Sequence, residues 1–212
     1  MIAKAEAFLK GSFENSAYLK DHPAEAAYRL EHSYRVANIA KAIAGAEGLD
    51  VTCAVIAGLL HDVAYCKEMT DREAWKAHGR RSAAIARPFL ESLGLPETAV
   101  NDICYGIAIH VDDEADFEWN RTAFCDTVGD ADNIDRFDVY RIYESLQYLK
   151  FSEQSFEEKT QTVESTIRKL TGYLDMKLAT ASATKLWKQR IEYYIGFYQK
   201  LRSQLHNSQN IL

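Results

Sequence analysis

Ala57-Gly58-Leu59-Leu60-His61-Asp62 is an apolar run that stops on two strong metal ligands. Val51 to Leu60 reads as a buried helix, and Asp50 stands where an N-cap belongs. A helix that apolar has no packing reason to end on an imidazole beside a carboxylate, and a buried carboxylate without a partner is costly. Neighbouring residues project about 100° apart on a regular helix, so both can face one centre only where the helix ends and the backbone turns. Alone, such a pair would be ordinary, with the histidine donating to a carbonyl and the aspartate in a turn. The rest of the chain changes that reading. His32 precedes the pair, His78 and His110 follow it, and Asp130 and Asp132 come later.

The chain has 212 residues, 47% apolar and 26% charged, the balance of an ordinary globular protein with room for a substantial core. Its net charge of −6 argues against nucleic-acid polymers and anionic membranes as main partners. A small anionic substrate stays compatible, because a bound cation supplies local positive charge that the formal sum omits. Cys53, Cys66, Cys104 and Cys125 show no metal-binding or redox spacing, and all four read as reduced thiols. Met1 to Lys10 is amphipathic and lacks the apolar centre of a signal peptide, and no stretch reaches the roughly 20 apolar residues of a membrane span. The expectation is a soluble, cytoplasmic protein.

Helical periodicity runs through the whole chain. Pro23 opens a helix from Ala24 to about Ala44, ending at Gly45 and Gly48. A segment near Glu73 to Leu93 carries Pro88, which predicts a kink or break near Arg87. Pro96 starts another helix, running to about His110. The stretch Asp112 to Glu118 holds five carboxylates in seven residues and reads as a solvated loop. Helical pattern resumes over Arg121 to Val128, then Asp132 to Leu149, Phe156 to Leu174 and Thr184 to Leu205. Trp187, Ile191, Tyr194, Ile195, Tyr198 and Leu201 form an apolar stripe on the last of these, which reads as core or dimer contact. The fold class is all-α, with residues 1–150 as a metal-binding helical domain and 151–212 as a helical extension packed on it.

The candidate ligands are His32, His61, Asp62, His78, His110 and one of Asp130 or Asp132. They lie at helix ends or on small-residue faces, which is how helical bundles build metal sites. Imidazole with carboxylate suits Mn, Fe, Co, Ni or Zn. This set is too large for one catalytic ion that must keep an open position. If Asp62 bridges, His32, His61 and the late aspartate can hold one ion, and His78 with His110 a second.

Three segments in this order resemble the HD-domain superfamily of metal-dependent phosphohydrolases: Glu31-His32-Ser33-Tyr34-Arg35-Val36-Ala37, Leu59-Leu60-His61-Asp62-Val63-Ala64 and Asp130-Ala131-Asp132-Asn133-Ile134-Asp135-Arg136-Phe137. The resemblance covers residues 24 to 140 and implies an HD-type helical bundle with additional C-terminal helices. It places the late ligand at Asp132, which agrees with Gly129 starting a fresh helix whose N-cap is Asp130. Asp130 is left for capping or for orienting a water. Members with two extra histidines resemble two-metal enzymes, and His78 and His110 fit that arrangement.

The resemblance implies a hydrolase that cleaves a phosphoester of a small nucleotide or phosphorylated metabolite with a metal-activated water. Beyond that water no general base stands out, and the catalytic candidates are Asp62 and, for orienting the water, Asp130. Arg80, Arg81 and Arg136 are the guanidinium candidates for phosphate, with at least one of Arg80 and Arg81 belonging to a solvated helix face. Two other readings share the ligand set: a di-iron oxygenase resembling myo-inositol oxygenase, and a regulatory module stapled by metal. A homodimer through the C-terminal helices is also compatible.

Overall fold

The computed structural model describes residues 1–209, and among them there is no strand. By backbone contacts the chain parts into two compact units, Met1–Asp135 and Arg136–Leu212.

The first unit comprises α1 (Ile2–Glu14), α2 (Ala17–Asp21), α3 (Pro23–Glu47), α4 (Val51–Leu60), α5 (Arg72–Lys76), α6 (His78–Ser92), α7 (Glu97–Ile109) and α8 (Ala123–Asp135), with a 3-10 turn at Val63–Cys66. α4 is its centre. Every residue from Cys53 to Leu60 is buried, as expected of a helix apolar on all sides. Asp50 caps it, its Oδ1 accepting from the Cys53 N–H at 2.9 Å. α3 lies against α4 and α8, α7 against α4, α6 and α8, and α1 against α4. The α3–α4 crossing needs Gly58: a Cβ there would sit 2.7 Å from the Ala37 Cα. That approach sets the end of α4 beside the middle of α3 (His61 beside His32).

Two sequence expectations about helix breaks are corrected. α6 runs through Pro88 without ending, and the break falls earlier, at Ala77 between α5 and α6. A proline inside a helix gives up its own N–H bond, but the turns on either side of Pro88 are buried through Ala86 and Leu90, and packing carries the helix past it. Gly129 starts no new helix. α8 is continuous from Ala123 to Asp135, and the chain turns only afterwards, before Val139.

The second unit holds α9 (Val139–Tyr148), a 3-10 turn at Phe151–Glu153, α10 (Phe156–Thr171) and α11 (Ala181–Asn207). Ser155 and Glu158 form a reciprocal capping box at the start of α10, with Glu157 and Glu158 in its first turn and Arg168 and Lys169 in its last, matching the helix dipole. On α11 the stripe from Trp187 to Tyr198 is buried. Phe137 packs its ring 4.8 Å from Trp187 and 5.8 Å from Tyr173, while the Trp187 indole donates to the Tyr173 carbonyl at 2.9 Å. No described helix is long and apolar enough to cross a membrane.

Candidate metal centre

All six predicted ligands lie in the first unit, and their ring nitrogens and carboxylate oxygens converge. His61 is the C-cap of α4. Asp62 follows with φ −108° and ψ 15°, outside helical geometry, so the backbone turns between the two residues as their adjacency requires. The 3-10 turn after them is pinned by Ser82 of α6, whose hydroxyl accepts from the Ala64 N–H at 3.0 Å. His32 comes from the interior of α3, His78 from the first residue of α6, His110 from the C-cap of α7 and Asp132 from α8. His61 is 0% exposed, Asp62 3%, His78 6%, His32 7% and Asp132 8%.

Asp62 divides the set. Its Oδ2 lies 3.6 Å from His32 Nε2 and 3.7 Å from His61 Nε2, and its Oδ1 lies 3.2 Å from His78 Nε2 and 3.7 Å from His110 Nε2. Asp132 Oδ1 joins the first half, 3.1 Å from His32 Nε2 and 3.9 Å from His61 Nε2. Ligands about 2.1 Å from one cation sit about 3–3.5 Å from each other, so these spacings are close to those of a loaded site. Two triads, His32/His61/Asp132 and His61/Asp62/His110, each place their donor atoms within 4.8 Å of one another.

The protonation pattern also calls for cations. Each histidine points Nδ1 at an oxygen: His32 at Asp135 (2.8 Å), His61 at the Gly58 carbonyl (2.8 Å), His110 at the Ile107 carbonyl (2.7 Å) and His78 at the Trp75 carbonyl. Oxygens that only accept fix the N–H on Nδ1 and leave a lone pair on every Nε2. Yet His61 Nε2 stands 3.2 Å from His32 Nε2, and His78 Nε2 stands 3.1 Å from His110 Nε2. Two lone pairs that close need a proton or a cation between them. Asp62 Oδ1 is buried without a hydrogen-bond donor, the same demand seen from the carboxylate side.

Titration follows this geometry. Burial opposes charge on His32, but its bonds to Asp132 and Asp135 and the charge of Asp62 raise it to about 9. Burial pushes His61 down to about 4. Burial would raise Asp62, and the surrounding His61, His110 and His78 imidazoles instead hold it well below the carboxylate range. Asp132 is likewise lowered against burial, chiefly by His32. Without an ion, the cluster draws a proton onto His32.

Other expected roles are redistributed. Asp130 is interior to α8, not its cap, and it is half-buried. Arg80 is held by acidic residues, its Nη1 2.9 and 2.8 Å from the Asp112 carboxylate oxygens and 3.3 Å from Glu114. The acidic stretch after His110 is a solvated loop, as expected, with Asp113, Glu114, Asp116 and Glu118 exposed, and Arg80 ties it to α6 chiefly through Asp112. Arg81 is exposed, beside Lys67 and Met69. Arg136 is exposed and begins the second unit.

The guanidinium that does reach the cluster is Arg29, one turn before His32. Its Nη1 donates to Asp62 Oδ2 at 3.2 Å, and its Cζ lies 3.3 Å from the centre of the Tyr65 ring. Asp135 was also unassigned from sequence; it takes the His32 Nδ1–H while accepting from Arg35 Nε at 2.9 Å. The available signals were spacing alone: Arg29 and Arg35 flank His32 at three residues, and Asp135 follows Asp132 at three.

A family model for the HD domain matches residues 29–140, more than half of the chain and all six converging residues. The chain belongs to the HD-domain family. HD domains bind divalent metals, and the triads above are the residues of this one able to hold them. A solved structure, that of a predicted HD superfamily hydrolase from an uncultured Thermotogales bacterium, is similar over 95% of this chain and 91% of that one, with a TM-score of 0.65 and 20% identity. That likeness extends the shared fold past the HD domain into the C-terminal helices. No curated protein matches the chain.

Proposed function

We propose that this HD-domain protein is a two-metal phosphohydrolase that cleaves a phosphoester of a small nucleotide or another phosphorylated metabolite. The observation that carries the reading is Asp62, whose two oxygens face separate histidine pairs in a site that is almost wholly buried. Divalent cations held there lower the pKa of bound water and neutralise charge on a phosphoryl group. His32, His61 and Asp132 with Asp62 Oδ2 form one set of donors, and His78 and His110 with Asp62 Oδ1 the other. Asp135 and the three backbone carbonyls keep each Nε2 aimed inward, so the four rings are already oriented towards an ion. Arg29, its plane fixed on Tyr65, presents a guanidinium beside Asp62 and replaces Arg80 as the residue suited to a phosphoryl oxygen.

The test joins metal content to phosphate release. Protein purified without chelators should carry about two metals per chain by elemental analysis, and His78→Ala about one. Loaded with manganese, cobalt or zinc, the wild type should release phosphate from at least one member of a panel of nucleotides and sugar phosphates, and Asp62→Asn from none. Iron-loaded protein that consumes O₂ and releases no phosphate would replace the hydrolase with an oxygenase.

A further inference from the structure

The two halves of the centre are held in different ways. His32 and Asp132 stand inside the long helices α3 and α8, and His61 is locked between Gly58 and the turn that Ser82 pins. His78 and His110 stand at helix ends, where the backbone ladder runs out and chains fray. Two contacts hold those ends together. Gly79 lets α6 approach α7 so closely that a Cβ would sit 2.5 Å from the Ala108 carbonyl oxygen. Arg80, two residues after His78, grips Asp112, two residues after His110, through both carboxylate oxygens at 2.8 and 2.9 Å. The segment beyond is fastened as well: Asp113 pairs with Arg121 at 2.8 Å, Phe117 lies under the Arg87 guanidinium at 4.8 Å, and the Trp119 indole donates to Asp102 at 2.8 Å.

We infer that Arg80 and Asp112 are positioning residues that hold His78 and His110 in register for the second metal ion. The inference rests on the two-metal reading above. A partly exposed ion pair contributes little to global stability, whereas residues that orient metal ligands typically change affinity about 10- to 100-fold. The two effects therefore separate in one experiment.

Metal-free wild type, Arg80→Met, Arg80→Lys, Asp112→Asn and the Arg80→Met/Asp112→Asn double variant are titrated with Co²⁺. Binding is followed by visible absorption and equilibrium dialysis, and thermal unfolding of each metal-free protein is recorded. The wild type should bind two ions. Arg80→Met should keep the first unchanged and weaken the second about 10- to 100-fold, with an unfolding midpoint near that of the wild type. Arg80→Lys should recover part of the loss, and the double variant should be no worse than Arg80→Met, because both changes break one pair. Should Arg80→Met not fold, Asp112→Asn carries the comparison. Second-ion affinity equal to wild type in both single variants, or additive losses in the double, would overturn the inference while leaving the dinuclear site standing. Intact metal binding with weakened substrate binding in Arg80→Met would instead return Arg80 to the substrate. A wild type that binds one ion at every Co²⁺ concentration would overturn the dinuclear reading and this inference with it.

Discussion

His32 is held from both sides: Nε2 faces Asp132 at 3.1 Å, and Nδ1 donates to Asp135, which Arg35 grips in turn. Asp135 is 2% exposed and touches no position an ion would take, so its work is to fix the tautomer and angle of the ring. Asp135→Ala should weaken metal binding about 10- to 100-fold, read by competition against a chelating dye; unchanged affinity would mean that α3 alone orients the ring. The same histidine sets the pH dependence. In the metal-free protein His32 stays protonated up to about 9, so an entering ion must expel that proton. Metal affinity should therefore climb from pH 6 towards 9 and level off above it, with protons released into a weakly buffered solution as metal is added. An affinity flat across that range would place the proton elsewhere.

At the scale of elements, the site is a consequence of close helix crossings. α3 and α4 touch through Gly58 and Ala37, and this contact sets His61 Nε2 3.2 Å from His32 Nε2. Gly58→Ala forces a Cβ to within 2.7 Å of the Ala37 backbone, where no flexible side chain can yield. The expected loss is about 1–3 kcal/mol of stability in denaturant unfolding, together with weaker metal binding as the two rings part. Stability that falls while metal affinity is kept would show that the helices slide without separating the ligands. Pro88 and Gly129 teach the complementary lesson. Both are breakers by local propensity, yet α6 and α8 continue through them because packing against neighbours outweighs the few kcal/mol that a proline or glycine costs an isolated helix.

Across the whole molecule, the converging residues all belong to Met1–Asp135, while Arg136–Leu212 has an aromatic core of its own around Phe137, Tyr173 and Trp187. An ion that binds only the folded state stabilises it by mass action, about 4 kcal/mol at a thousand times its Kd. Amide hydrogen exchange with and without EDTA should therefore show chelation lowering protection within residues 1–135, around α3, α4 and α8 above all, with far less change in α10 and α11. An equal loss in both units would show that they unfold as one.

The order of ligands, the all-helical class and the turning of the backbone at His61-Asp62 were legible in the sequence because each depends on neighbours a few residues apart: apolar period, an N-cap at Asp50, two ligands where a buried helix stops. Asp132 could be told from Asp130 by the same helical geometry together with the family pattern, even though the break at Gly129 that seemed to support the choice does not exist. Arg29 on Asp62, Asp135 under His32 and Arg80 on Asp112 were not legible. They join residues 33, 103 and 32 positions apart. A charged side chain on a helix carries no local mark of whether it faces water, a carboxylate or a ligand, so only the packing of α3, α4, α6, α7 and α8 decides its partner. The sequence by itself thus determined which residues could hold metal; the tertiary structure decided which of Asp62's oxygens faces which histidines, and what holds each of them in place.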